Sequence, residues 1–107
     1  MLNQVVIVGR LVSITPLSED NEKSCVITVK CPRTFKNADG IYENDMIDCI
    51  LVGNIATNTM EHCNIDDILG VKGRIREKVV ELPFGTRERR MEIVCEKLTF
   101  LSNTSNN

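Results

Sequence analysis

Runs of Val, Ile and Leu, broken at short intervals by polar residues, glycine and proline, dominate this chain. Most of them carry the two-residue period of strands. The first, residues 3–11 (NQVVIVGRL), is apolar on both faces, with Val5 and Ile7 on one and Val6 and Val8 on the other. A strand of that kind is either central in a sheet or placed at a subunit interface. Gly9 interrupts it and predicts a bend or bulge. Pro16 and the polar run 18–23 make a turn. Residues 24–31 (SCVITVKC) form the second strand, where Cys25, Ile27 and Val29 alternate with Val26, Thr28 and Lys30, and Pro32 ends it. Residues 33–44 read as a polar loop with Ala38-Asp39-Gly40 at its tip. Residues 45–52 (DMIDCILV) are the third strand, stopped by Gly53.

Residues 54–63 hold the one plausible helix. Asn54 stands as its N-cap, Ile55, Thr59 and His62 or Cys63 form a narrow one-sided face, and Asn64 with Asp66-Asp67 ends it. Residues 69–82 begin as a strand, Pro83-Phe84-Gly85 is a turn, and residues 89–101 are the last strand. The order β-β-β-α-β-β predicts an all-β fold: a five-stranded OB-fold, a partly open Greek-key barrel with one short helix between strands three and four. The expected domain is 1–101, followed by a polar, disordered tail at 102–107 (SNTSNN).

Composition narrows the picture without changing it. At 107 residues, 42% hydrophobic and 26% charged, the chain is one ordinary soluble domain large enough for its own core. It carries neither a signal-like start nor an apolar run of membrane-spanning length, so a soluble cytoplasmic protein without membrane contact is expected. The five cysteines (Cys25, Cys31, Cys49, Cys63, Cys95) are odd in number and never in CxxC spacing, and most sit in β-branched runs. They read as reduced core thiols; no metal and no cofactor is expected.

Net charge is only −2, so a polyanion-binding surface must be a local stripe. Such a stripe exists. Lys72, Arg74, Arg76 and Lys78 recur at every second residue, which puts all four on one face of a strand, with Val71 and Ile75 opposite and Gly73 where the strand bends. A solvated edge strand carries such charges too. Lys30, Arg33 and Lys36 flank strand two, and Arg87, Arg89 and Arg90 lie in the last hairpin. A barrel that joins these groups makes a cationic track for a phosphate backbone. Stacking surface is scarcer: no Trp, one Tyr, three Phe. Phe35 stands between Arg33 and Lys36 in polar surroundings and is the best stacking candidate; Tyr42 and Phe84 lie in loops, and Phe100 is assigned to the core.

The chain is similar to the bacterial single-stranded DNA-binding proteins in the opening MLNQVVIVGRL, in Val26-Ile27-Thr28-Val29 with the basic-aromatic loop around Phe35, in residues 48–56 (DCILVGNIA), in Val71-Lys72-Gly73-Arg74-Ile75-Arg76, and in residues 92–101. The resemblance spans about residues 1–101. It implies sequence-independent binding of single-stranded DNA during replication, recombination or repair, in a homotetramer or else a homodimer, with replication or repair proteins as further partners and a bacterial, phage or plasmid source. It also implies that Leu2, Val5, Val6, Ile7 and Val8 build the subunit interface, in two-fold fashion. Phe35 falls on one of the family's stacking positions; Met46, Val52 and Val80 stand at others, where Met can lie on a base and Val cannot stack as a ring does. The family's acidic tip ending in Ile-Pro-Phe has no counterpart in this sequence.

The nucleic-acid-binding candidates are therefore Lys30, Arg33, Phe35, Lys36, Met46, Lys72, Arg74, Arg76, Lys78, Arg87 and Arg89. No catalytic residues are expected. The sequence holds one His, no P-loop and no nucleophile elbow, and Asp45 and Asp48 point to opposite strand faces. Two other readings stay open: a dimeric primosomal-type OB replication protein, and an OB module turned protein-interaction subunit with weak DNA affinity.

Overall fold

The computed structural model describes residues 1–102. Five strands, β1 (Val5–Ile14), β2 (Ser24–Lys36), β3 (Tyr42–Val52), β4 (Ile68–Glu81) and β5 (Arg87–Ser102), close into a barrel in the order β1-β2-β3-β5-β4. The helix α1 (Asn54–His62) lies between β3 and β4. This is the OB-fold. All strand pairings are antiparallel except β3 with β5, where only Cys49 with Ile93 and Ile50 with Val94 are matched, so that seam is the narrow one.

Alternation places the core. Ile7 and Leu11 of β1, Cys25, Ile27 and Val29 of β2, Cys49 and Leu51 of β3, Leu69 and Val71 of β4, and Cys95 of β5 point inward, and Ala56 of α1 plugs against them. Near the top of β4 the inward position is Gly73. A Cβ there would stand 2.2 Å from the Val94 carbonyl oxygen, so the backbones of β4 and β5 meet where the register slips between Lys72 and Gly73. Gly73 thus bends the strand, as its place in the sequence predicts.

Gly9 serves a different purpose from the predicted bulge. β1 runs through it without a break, and a Cβ would stand 2.4 Å from the Lys30 carbonyl oxygen. Glycine is required there by the close approach of β2. The irregularity of β1 comes later, between Leu11 and Ser13.

Several expected boundaries move. Pro32 does not end β2, which continues to Lys36. Pro32 pairs with Asn44 and is followed by a register shift, a setting that tolerates its missing N–H. The expected loop at 33–44 is therefore mostly the outer part of a β2–β3 hairpin. Its tip lies where predicted: the Asn37 side-chain oxygen accepts from the Asp39 and Ile41 N–H groups, and Gly40 takes a positive φ. Asn54 is not the N-cap. Gly53 holds that position with φ 74° and no side-chain bond, and α1 stops at His62, ahead of the acidic pair. Asp67 instead folds the following turn: it is buried, and its carboxylate accepts the Asn64 N–H at 2.8 Å. Phe100 is 48% exposed rather than core: it pairs with Leu69 and borders an open hollow beside α1. β4 is one strand to Glu81, and β5 starts at Arg87 and reaches Ser102. The rest of the expected tail lies outside the described residues.

Burial pushes the Cys49 thiol up to about 12, with help from neighbouring Cys95 and Cys31, and pushes Cys95 up to about 11. In an unfolded chain these thiols ionise near their ordinary value of 9.0. Their contribution is fully present below pH 9 and is lost as pH rises from there toward 12, because only the unfolded state releases the protons. The urea midpoint should fall between pH 8 and pH 10.5, and Cys49→Ala should make that fall shallower by on the order of 1 kcal/mol per pH unit above 9. Parallel curves for the two proteins would refute this account.

Candidate nucleic-acid interface

The outward positions of β2, β3, β5 and β4 form one continuous face. Val26 pairs with Ile50, Ile50 with Val94, and Val94 with Arg74, so a single row crosses four strands. Beside it, Thr28 donates to the Asp48 carboxylate at 2.6 Å, and Lys30 pairs with Met46, whose side chain is exposed. On the other flank Arg76, Lys78 and Glu92 border a hollow of about 370 Å³. Its remaining wall includes Val26, Ile50 and the β1–β2 connection at Thr15, Pro16 and Ser18.

Two hairpins extend beyond the barrel. In the β2–β3 hairpin Phe35 is 67% exposed, and the Lys36 ammonium sits 5.6 Å from the centre of the exposed Tyr42 ring. In the β4–β5 hairpin, the turn Pro83–Gly85 presents Phe84 fully to solvent with a left-handed φ of 67°. Both aromatics that the sequence places in loops are thus on the surface.

The ladder on β4 is real but divided. Lys72, Arg74, Arg76 and Lys78 share one side of the strand, yet the strand twists enough for its ends to face different surfaces. Arg76 and Lys78 border the hollow just described. Lys72 lies opposite Lys97 and borders a second hollow, of about 310 Å³, with Val6, Val8, Gly70, Thr99 and Leu101.

Carboxylates meet much of this positive charge. Arg76 Nε donates to Glu92 at 2.5 Å, and Arg74 lies 3.7 Å from Glu96. Arg33 is clamped between Glu43 and Asp45, both at 2.9 Å; its hydrogen bonds hold the Asp45 carboxyl below the usual range. Arg87 and Arg89 pair with Glu81 and Glu77 on the opposite side of the hairpin from the ladder, so the structure does not bring them to the face. Arg90 does reach it, opposite Lys78, paired with Glu88. Among the described residues, Lys30, Lys36, Lys72 and Lys78 have no carboxylate within salt-bridge distance.

The proposed interface residues also divide. Ile7 is buried in the core and Val5 packs against it, while Leu2, Val6 and Val8 are exposed. Val6 and Val8 remain 66% and 55% accessible, high for valines in a regular strand.

Sequence reasoning missed Thr15, Ser18, Val26 and Ile50, whose approach to the hairpin is tertiary. Glu92 left a usable signal: it and Arg76 are equidistant from Phe84, so the hairpin turn alone sets them opposite each other.

The sequence model of the single-strand binding protein family matches residues 2–101. The chain belongs to that family. It is 33% identical over 103 residues to single-stranded DNA-binding protein B of Bacillus subtilis (strain 168), covering 94% of this chain and 91% of that protein. It is 34% identical over 106 residues to single-stranded DNA-binding protein 1 of Staphylococcus aureus (strain COL), and over 107 residues to the single-stranded DNA-binding protein of Enterococcus faecalis (strain ATCC 700802 / V583). In those two the match covers 62% and 57% of the relative, so the chain corresponds to somewhat more than half of their length. The family is one of binding proteins and not of enzymes. No helix among the described residues is long and apolar enough to cross a membrane.

Proposed function

We propose that this protein binds single-stranded DNA without sequence preference, in the service of replication, recombination or repair, and that the strand lies over the outer face of β2, β3, β5 and β4. The observation that supports the site is the row Val26–Ile50–Val94–Arg74, in which Val26 and Ile50 are partly exposed and Val94 between β3 and β4 is buried; Thr28 with Asp48 and then Lys30 with Met46 follow on one side, and Arg76 and Lys78 on the other. Apolar surface takes base faces, and the lysines take phosphates. Phe35 and Tyr42 on one hairpin and Phe84 on the other supply rings beyond the barrel. Duplex DNA has no exposed base faces to offer, so the same face favours the single strand.

We further infer self-association through the patch of Val6, Val8 and Leu101, with a homotetramer as the assembly and a homodimer as its half. Such a patch on β1 is self-complementary about a two-fold axis. The bacterial relatives make the cytoplasm the expected setting. Replication or repair enzymes are the expected protein partners.

Anisotropy of labelled oligo-dT over a salt series, with duplex of equal length as control, tests the binding. Preference for the single strand and a steep loss of affinity with salt are expected. Lys78→Ala should flatten the slope by about 0.7. Phe35→Ala should cost about 1–3 kcal/mol and leave the slope nearly unchanged. Equal binding of duplex, or no binding at low salt, would sink the reading. Light scattering tests the assembly: Val6→Glu with Val8→Glu should lower the mass of the parent oligomer. A monomeric parent, or an unchanged mass, would remove the proposed interface.

A further inference from the structure

We infer that Glu92 is an internal competitor of the DNA backbone, seated on Arg76 where a phosphate would sit and so limiting how tightly the face holds a strand. This rests on the binding face proposed above and deepens it.

Three observations carry the inference. First, Glu92 is held at the binding surface and away from bulk water. Its side chain is only 15% exposed, whereas the Arg76 side chain is 44% exposed. An arginine on this face is half open to solvent while the carboxylate that satisfies it is mostly enclosed. Second, the two groups are in direct contact. The Arg76 Nε–H donates to Glu92 Oε1 at 2.5 Å, the shortest ion pair among the described residues. Third, both groups border the same hollow of about 370 Å³, together with Lys78. Its floor includes Val26 and Ile50, which suit an apolar base face.

Ser18 Oγ accepts from the Ser24 N–H at 3.0 Å, and Thr15 Oγ1 accepts from the Val26 N–H at 2.9 Å, which fixes both hydroxyls on that wall and leaves their O–H groups able to donate. The positive charge available to a phosphate in the hollow comes from Arg76 and Lys78. Glu92 offsets one of these two positive charges. A phosphate that engages Arg76 must take the guanidinium from Glu92 or share it, and in either case it comes close to an enclosed carboxylate of like charge. Lys78 faces Arg90 across the hairpin, and Arg90 is occupied by Glu88. Lys78 is therefore the cation of the hollow that carries no partner, and Arg76 is the one held in reserve. The same logic applies more weakly to Arg74 and Glu96, which are 3.7 Å apart and both well exposed.

The consequence is a face whose affinity is set below what its cations could supply. Such a limit lets a bound strand be released as well as held.

The test is a set of anisotropy titrations with labelled oligo-dT across a salt series, on the full chain. The proteins are the parent, Glu92→Gln, Arg76→Ala, the double variant, and Lys78→Ala. Glutamine keeps the size of Glu92 and its ability to accept from Arg76, and thermal melts confirm that each variant is folded. Glu92→Gln should tighten binding about three- to ten-fold and steepen the salt slope by about 0.7, as one more cation meets a phosphate. Adding Arg76→Ala should abolish that gain. Unchanged or weaker binding by Glu92→Gln, with Lys78→Ala still weakening it, overturns the role of Glu92 and leaves the binding face standing. A gain that survives loss of Arg76 also overturns it, since net charge alone would then be the cause. No effect from either Lys78→Ala or Glu92→Gln takes the strand off this face, and both proposals fall together.

Discussion

Closure of the barrel turns on two places where backbone packs directly on backbone. At Gly9 the chain of β1 lies against Lys30, with room for no side-chain atom at all. At Gly73 the chain of β4 lies against Val94. β1 must serve two neighbours, pairing with β4 over its first half and with β2 over its second. It can do so only if it wraps tightly around the end of the sheet, and a Cβ at Gly9 would hold β2 away. β4 must likewise leave the barrel and continue as a free hairpin, and the slip at Gly73 is the point at which it turns out. Everything functional hangs from these two contacts. The row Val26–Ile50–Val94–Arg74 exists because β5 is brought beside β3 at the narrow seam, and Val94 is both the partner of Ile50 and the residue on which Gly73 rests.

The electrostatics follow from the same geometry. A hairpin of fixed register sets each side chain opposite one partner, so a run of cations on β4 selects what stands on β5. Across from Arg76 stands Glu92, and across from Lys78 stands Arg90 with its own Glu88. The chain has 13 basic and 15 acidic residues, and the hairpins spend several of the acids on pairing arginines. The arginines are thereby mostly satisfied and the lysines mostly unpaired. Lysine makes a point contact with phosphate through a flexible stem and is readily exchanged. Unpaired lysines beside neutralised arginines suit the sequence-independent contact with phosphates proposed for this face.

How much of this could be read from the chain depends on the range of the cause. Strand alternation is local, so the order of elements, the core set and the shared side of Lys72, Arg74, Arg76 and Lys78 were legible. Two-sided apolarity of β1 was legible as well, although only Val6 and Val8 of its central residues turn outward; Ile7 is claimed by the core because the barrel encloses that face. Pro32 misled because a proline stops a strand in isolation but not at an outer bulge of a hairpin. Phe100 misled because it borders a hollow beside α1 that the helix does not fill, and the placement of α1 is tertiary. The splitting of the ladder could not be read at all: twist accumulates over β4 and depends on the strands to which it is bonded.

The aromatics give the last step. Phe35, Tyr42 and Phe84 avoid the barrel wall and stand on the two hairpins. Such rings keep large apolar areas in water, and Phe84 does so with a left-handed backbone that costs about 1 kcal/mol in a residue with a side chain. Among the described residues nothing packs on the Phe84 ring, which is fully exposed, so the turn is held by its backbone bond from Leu82 to Thr86 and not by burial of the ring. On the barrel wall stand the exposed Met46 and the partly exposed Val26 and Ile50, aliphatic surface without a ring, while Val94 beside them is buried. On the face proposed for the strand, the rings at the tips therefore set most of the grip, at about 1–3 kcal/mol for each base stacked, and Glu92 in the cationic middle trims it by the smaller effect, about three- to ten-fold, expected of one carboxylate.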